Sequence, residues 1–573
     1  MSSCILDAAG PQDSAAAWRF LTQATFGPSQ GDAAHLTDIG YAAWIDEQLA
    51  MPAQGSYRDF IAARDAEIKA ANPSNSPAKA GQEQIVEAFY THALTDPAQL
   101  RQRLTFALSE IFVVSLQDGR IADHPQLMAT YLDTLNNSLS GTYRDLLESV
   151  TKTPAMGEYL TYRSNQREDP TNGRIPDENY AREVMQLFSI GLVELNLNGT
   201  PVLDARTQTP KPTYTSADVQ GLAKVFTGWS NYRGAAYASQ PVWTCFWIMA
   251  ECADPEGELR LMVSYPPYHS VSEKKFLGVT IAAQSTPDPE GDLKIAMDRL
   301  ASHPNTAPFF CKQLIKRLVT SNPSPEYVQR VAQRFRDTGG SLPEVTKAIL
   351  MDDEARSPDT FFTATGGKIR EPILRLTALL RAFTMDAPGL LPATGSPSKI
   401  KTAGITSTSD NATSLGQSPV TAPSVFNFFR PGYVPPQSVI AEHAGMVAPE
   451  MQLVSESSVT GYVNAIADLL DKGIGYDVQT ALGPRPSIRL DLSEPRALAQ
   501  DAATLADDVS RRLLGTTMTS ALRQQILIAV NSIAVPPLDA TRSNVAAVNA
   551  ALDQRVKAAI LITAASSEFL VQR

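Results

Sequence analysis

The residues best suited to chemistry crowd into one stretch, Asp177 to Leu192 (DENYAREVMQLFSIGL), directly after the polar loop SNQREDPTNGRIP. At about 100° per residue, Glu178, Asn179, Arg182, Glu183 and Gln186 share one helical arc roughly 140° wide. Two carboxylates, a guanidinium and two amides on one face are groups that transfer protons or hold a polar ligand. Tyr180 falls on the other, apolar side with Val184, Leu187 and Phe188. The plainer alternative is a solvated face laced by Glu178–Arg182 and Asn179–Glu183 pairs four residues apart. The two acids stand about 140° apart on such a helix, so one of them with a distant Asp or His makes the better catalytic pair.

Two loops supply further candidates. Tyr265-Pro-Pro-Tyr-His269 sets a histidine beside two tyrosines and two prolines. It is either a general base or a structural histidine bonded to backbone. The aromatic segment Ser424-Val-Phe-Asn-Phe-Phe-Arg-Pro-Gly-Tyr433 carries Asn427 and Arg430, as a lid or part of a pocket wall. We expect Glu178, Glu183 and His269 to be catalytic, and Asn179, Tyr180, Arg182, Asn427 and Arg430 to bind substrate. The central helix and the His269 loop are expected to meet in one cavity with Asn427 or Arg430 near, because an interior carboxylate needs a partner.

The elements that must position these groups are mostly helical. Asp177 reads as an N-cap and Gly191 as the helix end. Apolar residues at helical spacing fill 83–116, with Asp96-Pro97 dividing the stretch in two. Further helices are expected at 14–25, 33–50, 125–140, 142–152, 291–301, 305–320, 325–337, 341–352, 369–384, 446–471, 495–513, 518–533 and 542–571. Glu371, between Arg370 and Arg375, reads as an internal ion pair. The fold class is mainly α: a multi-helical globular array with a small β insertion around 240–281 and long Pro/Ser/Thr-rich loops. A main helical domain over 14–384, a long loop or lid over 385–437 and a C-terminal helical subdomain over 438–573 are expected. The stretch 484–494 reads as a Pro-rich loop.

DENYAREVMQLFSIGL resembles the NENYARELLELFTLGV block of the bacterial domain-of-unknown-function 1800 family. YTSADVQGLAKVFTGW (214–229), Tyr268-His269 with KKFLGVTI (274–281), HPNTAPFFCKQLIKRLVTSNPSPEYV (303–328), GGKIREPILRL (366–376) and SPVTAPSVFNFFRPGYVPP (418–436) match in the same order. ATFGPS (24–29) and GYAAWIDEQL (40–49) resemble the family's opening. The resemblance implies an exported bacterial protein, often encoded beside a secreted sulfatase-like partner, and carries no established activity.

Composition narrows the rest. The 573 residues are 43% hydrophobic and 19% charged, which describes a folded protein too long for one ordinary core. A net charge of −11 disfavours nucleic acid as partner, although Lys312, Lys316 and Arg317 form a local basic cluster able to bind an anion. No apolar run is long enough to span a membrane. The opening MSSCILDAAG lacks a leader pattern, so an extracytoplasmic protein, periplasmic or secreted, would have its signal peptide absent from this sequence. Of four cysteines, Cys245 and Cys252 are near enough to bridge if the protein is exported.

No HExxH, CxxCH, P-loop, GxSxG or Rossmann glycine motif occurs, and no cofactor is expected. What remains is acid–base chemistry by carboxylate, Tyr, His and Arg. We expect an enzyme of the hydrolase or lyase kind acting on a carbohydrate or other envelope polymer, or on a small-molecule ligand. The alternative is a non-catalytic helical binding or scaffold protein working with a secreted partner. A third reading is a metal-dependent oxidoreductase using Glu178, Glu183, His269 or His443.

Overall fold

Helices start where the sequence offers caps. Ser29 with Asp32, Thr142 with Asp145 and Thr215 with Asp218 form reciprocal capping boxes, each satisfying two backbone donors at a helix start. In the computed structural model of the chain, the described residues are 10–573 except 53–54, 75–77, 358, 360–365, 388–401, 444 and 481–482. Cys4 and 388–401 of the long loop therefore lie outside the described residues.

The helices that matter for the site are α1 (Gln82–Thr95), α2 (Gln99–Ser109), α3 (Asn179–Glu183), α4 (Ser216–Val225), α5 (Thr306–Leu318), α6 (Pro372–Arg381) and α7 (Val545–Ala565). The fold is mainly α, as its periodicity indicates. One cluster of buried apolar side chains runs from Ala17 to Phe569, so the helices share a continuous core.

The strands are short and local. β1 (Trp229–Ser230) pairs antiparallel with β2 (Val263–Ser264), and β3 (Lys274–Phe276) with β4 (Val279–Ile281). Most of 240–281 is otherwise turns and a short helix, Val242–Phe246. Cys245 and Cys252 are joined in a disulfide that closes this excursion. Past it, β5 is Lys368–Ile369, while β6 (Thr384–Asp386), β7 (Ile474–Thr480) and β8 (Gly483–Asp491) form a sheet of order β6-β8-β7. β9 (Val571–Gln572) returns to pair antiparallel with β5.

This sheet corrects the expectation of a loop at 484–494. Pro484 and Pro486 lie in β8, opposite Gln479 and Asp477 of β7. β6 pairs only with residues 489–491, so the proline half of β8 is an edge and its missing N–H groups leave no ladder unfilled there.

Helix α4 lies directly against β3. An added Cβ on Gly221 would come within 1.7 Å of the Lys275 carbonyl oxygen, so no side chain fits at this crossing. Gly221→Ala is expected to lower the thermal unfolding midpoint, with a loss of about 1–3 kcal/mol typical of overpacking. A midpoint equal to the parent's would show that the crossing can open.

Candidate functional site

The central stretch is not one regular helix. After five α-helical residues the chain widens into a π turn, Val184–Ser189. The Ile190 N–H reaches back to the Met185 carbonyl at 3.0 Å, and Gly191 ends the turn at φ 71°. A π turn rotates every later side chain away from the α-helical wheel, and the expected polar arc divides. Glu178, Asn179 and Arg182 border solvent, with Glu178 and Arg182 paired at 3.2 Å. That is the solvated-face arrangement. Asp177 accepts the Asn179 backbone N–H at 2.8 Å, but the N-cap is Glu178, one residue after the expected position, and its side chain makes no cap bond. Glu183 turns inward, and its Oε2 is buried without a hydrogen-bond partner. Burial raises its carboxyl pKa, partly offset by Arg182.

Tyr180 is fully buried. It stacks on Tyr162 at 4.0 Å and its hydroxyl bonds Thr151 at 2.6 Å, which corrects the expectation of a substrate contact. His269 is likewise sealed in the core. Its Nδ1 lies 2.8 Å from the Thr227 carbonyl, and its Nε2 lies 2.9 Å from Asp292, which also binds Lys274 at 2.7 Å. Both ring nitrogens are engaged, so this is the structural histidine of the two alternatives. The Asp292 carboxyl is held low: burial raises it, but the bonds from His269 and Lys274 outweigh that.

Among the described residues no hydrogen bond or ion pair joins His269 to Glu178 or Glu183. The polar loop ahead of the helix does reach this region, through Arg167 N–H to the Tyr268 carbonyl and Ser270 Oγ to Glu168. The exposed His443 stands apart, and among the described residues no group of three His, Cys, Asp or Glu side chains is arranged to hold a metal.

The long loop meets the central stretch elsewhere. A cavity of about 540 Å³ opens between α5, the turn Gln186–Leu195 and residues 425–447, and Glu110, Lys312, Lys316 and Arg317 are among its lining residues. Phe309 forms another part of the wall, and an added Cβ on Gly191 would meet its ring at 2.6 Å. Arg430 is exposed, with its guanidinium over the Phe426 ring. Asn427, at φ 66°, donates its side-chain amide to Glu110 Oε1 at 3.2 Å.

Beneath the cavity lies a buried charge network. Arg317 sits 3.7 Å from Glu110 Oε2 and over the Phe429 ring at 4.6 Å. The Arg317 carbonyl accepts from Arg103 at 2.7 Å and Lys368 at 3.0 Å. Lys368 contacts Glu450 at 3.1 Å and Glu371 at 3.6 Å. Gln417 donates to Glu371 at 2.9 Å. The expected internal ion pair of Glu371 thus exists, but with Lys368. Arg370 and Arg375 instead lie over the rings of Phe569 and Tyr462.

Glu110 Oε2 and Glu371 Oε1 are both buried and receive no N–H or O–H donor. Each carboxyl acts on the charge state of the other, so ionising both at once is disfavoured. Burial, then the Glu371 charge, pushes Glu110 up to about 8. Burial also acts on Glu371, but Lys368, Glu110 and Arg317 bring it below the ordinary range. Burial and the Glu371 charge thus favour the protonated form of Glu110, while Lys368 favours the charged form of Glu371.

The sequence shows Lys312, Lys316, Arg317 and Glu371 as charged residues, but Glu110, Lys368 and Glu450 stand at positions where periodicity marks nothing unusual. A hint is the number of charges, from Arg101 to Glu110, within an otherwise apolar pattern.

The family model described as "Protein of unknown function (DUF1800)" matches residues 19–571. No curated protein and no solved structure matches the chain.

Glu183→Gln is expected to stabilise the protein at pH 7 by on the order of 1 kcal/mol, because a desolvated charge becomes neutral. The folded-state pKa is raised, so the cost of ionised Glu183 develops as pH climbs above the ordinary value of about 4.3. Unfolding curves of parent and variant should therefore converge below about pH 4, and a difference that persists there would contradict the assignment.

Proposed function

The chain belongs to the DUF1800 family over nearly its whole length, and from that premise we propose that it is an extracytoplasmic enzyme acting on a cell-envelope component by acid–base catalysis. The observation that carries the proposal is Glu110 at the wall of the 540 Å³ cavity, with Glu371 behind it acting on its charge. A cavity of this size suits a small molecule or one or two units of a polymer. Glu110, held protonated by burial and the Glu371 charge, can give its proton to a leaving group and, once ionised, take one from an attacking water. Asn427 orients Glu110, and Gln417 orients Glu371. The hydrolase form of the reaction fits this pair best. A carbohydrate polymer remains the finer proposal for the substrate. The Cys245–Cys252 bridge supports a location where disulfides persist.

A second reading is the non-catalytic binding protein that works with a secreted, sulfatase-like partner. It is favoured by Trp243 and Trp247, one helical turn apart on the disulfide-closed excursion and both about half exposed. Such aromatic area is unusual on a surface without a partner.

The test is turnover of envelope polymers and their fragments by the parent protein, Glu110→Gln and Glu371→Gln. Gln at 110 imitates the protonated carboxyl and should keep the fold. Both variants are expected to lose at least about 100-fold in rate, the usual scale of a general acid or base. Activity should fall as pH rises through about 8, where Glu110 loses its proton. It should fall on the acid side only below the ordinary carboxyl range, because Glu371 must be charged and its pKa is lowered. Full activity in both variants would sink the catalytic assignment and leave the binding protein.

A further inference from the structure

The cavity wall formed by α5 holds two lysines that the fold does not neutralise. Lys312 Nζ donates to the Gly199 carbonyl at 3.1 Å, and Lys316 Nζ to the Pro431 carbonyl at 2.5 Å. Among the described residues neither forms an ion pair, whereas Arg317 beside them approaches Glu110 Oε2 at 3.7 Å and donates to the Glu110 carbonyl at 3.3 Å. An ammonium has three N–H donors, so each lysine keeps two for a guest. The residues lie four apart, one turn of the helix, which places both amines at the same stretch of wall.

The remaining walls are of another kind. Leu187, Leu192, Val193, Phe309, Val425 and Phe426 give the cavity an apolar majority. Two unneutralised cations in such surroundings are costly unless an anion joins them. The cost is visible in the lysines themselves. Burial pushes Lys312 down, and burial together with Lys312 brings Lys316 down to about 7.

We propose that the cavity takes an amphiphilic anion, with its carboxylate, sulfate or phosphate head on Lys312 and Lys316 and an apolar body along Leu187, Phe309 and Phe426. The head would replace water around the two ammonium groups, and the body would bury against the apolar walls at roughly 25 cal/mol per Å². This rests on the cavity being the functional site, and it narrows the envelope component to one with a charged head and a nonpolar portion. A neutral glycan segment supplies neither. The carbonyl of Pro431 ties the long loop to Lys316, so an incoming anion competes for the group that holds this wall in place.

Binding of decanoate, decanol and inorganic phosphate to the full-length protein, measured by titration calorimetry at low salt, decides the matter. Decanoate is expected to bind at least about tenfold more tightly than either other probe, because head and body are then both used. Lys312→Met and Lys316→Met should each weaken decanoate about tenfold and leave decanol unchanged. Added salt should weaken decanoate alone. Affinity should be level below pH 7 and fall above it, as Lys316 loses its proton among Lys312, Arg317, Lys368 and Glu450.

Decanol binding as tightly as decanoate would overturn the charged head, and phosphate binding as tightly would overturn the apolar body. Should a methionine variant melt early, Lys312→Gln and Lys316→Gln repeat the comparison with a polar side chain. Decanoate binding thus reads the ligand class separately from catalysis: decanoate bound by an inactive parent leaves this inference standing and removes only the enzyme, while turnover without decanoate binding does the reverse.

Discussion

The structure depends on keeping a set of charges satisfied inside it. Glu110, Arg317, Lys368, Glu371 and Glu450 are all at least nine-tenths buried, and they come from four separate segments. Removing one partner from such a set strands the others and costs about 3–5 kcal/mol, so each segment is fixed by the rest. The network therefore acts as a registry device. It sets the end of α2 against the end of α5, seats the Glu371 turn at the start of α6, and holds the 449–453 turn in place through Glu450. The C-terminal strand closes the same region, because Gln572 donates to the carbonyls of Leu318 and Val319 at 2.6 and 3.2 Å.

A second constraint follows from the irregular chain that threads this interior. Residues 402–422 have little regular structure, yet Ala403, Ile405, Gln417 and Ser418 are almost fully buried. Backbone polar groups without a ladder need other partners. Thr91 accepts from Ala403 N–H, Ser115 donates to the Ala422 carbonyl, and Leu116 N–H reaches the Val420 carbonyl. Tyr90 of α1 bonds Thr408, whose hydroxyl also donates to the Gln417 carbonyl. The side chains of α1 and of the turn after α2 thus do for this loop what neighbouring strands do in a sheet. That rigidity lets residues 425–432 serve as one wall of a cavity.

How much of this the sequence discloses depends on the range of the interaction. Helices are legible because caps and apolar spacing act within a few residues: 325–337 matches its periodicity end to end, and Ser324 caps it. The break at Gly191 is legible for the same reason. The π turn is not: it stands where Phe309 packs against Gly191 and Gln186 and Leu187 line the cavity, contacts that only the folded chain makes. His269 shows the limit more sharply. A loop histidine among tyrosines and prolines looks available for chemistry, but whether it is depends on Asp292 and Lys274, and only the folded chain brings them to it. Glu371 reads correctly as a paired acid, while its partner is Lys368, three residues earlier and ahead of the proline that starts the helix.

The same distinction separates the charges that build the protein from those that serve a ligand. Lys368 and Arg317 are deep, touch carboxylates and complete their bonding within the chain. Lys312 and Lys316 share a helix with Arg317 and belong to one basic cluster in sequence, yet they face the cavity with their charge unanswered. Composition makes the three equivalent. Burial divides them, because α5 turns Arg317 into the core and the two lysines toward the wall. The Glu110–Glu371 pair lies at that boundary, with one carboxyl lining the cavity and the other held by Lys368 and Gln417. A proton placed there is shielded from bulk water by the apolar lining while a guest in the cavity can approach it. The network that fixes the fold thereby also sets the charge state of the groups at the cavity floor.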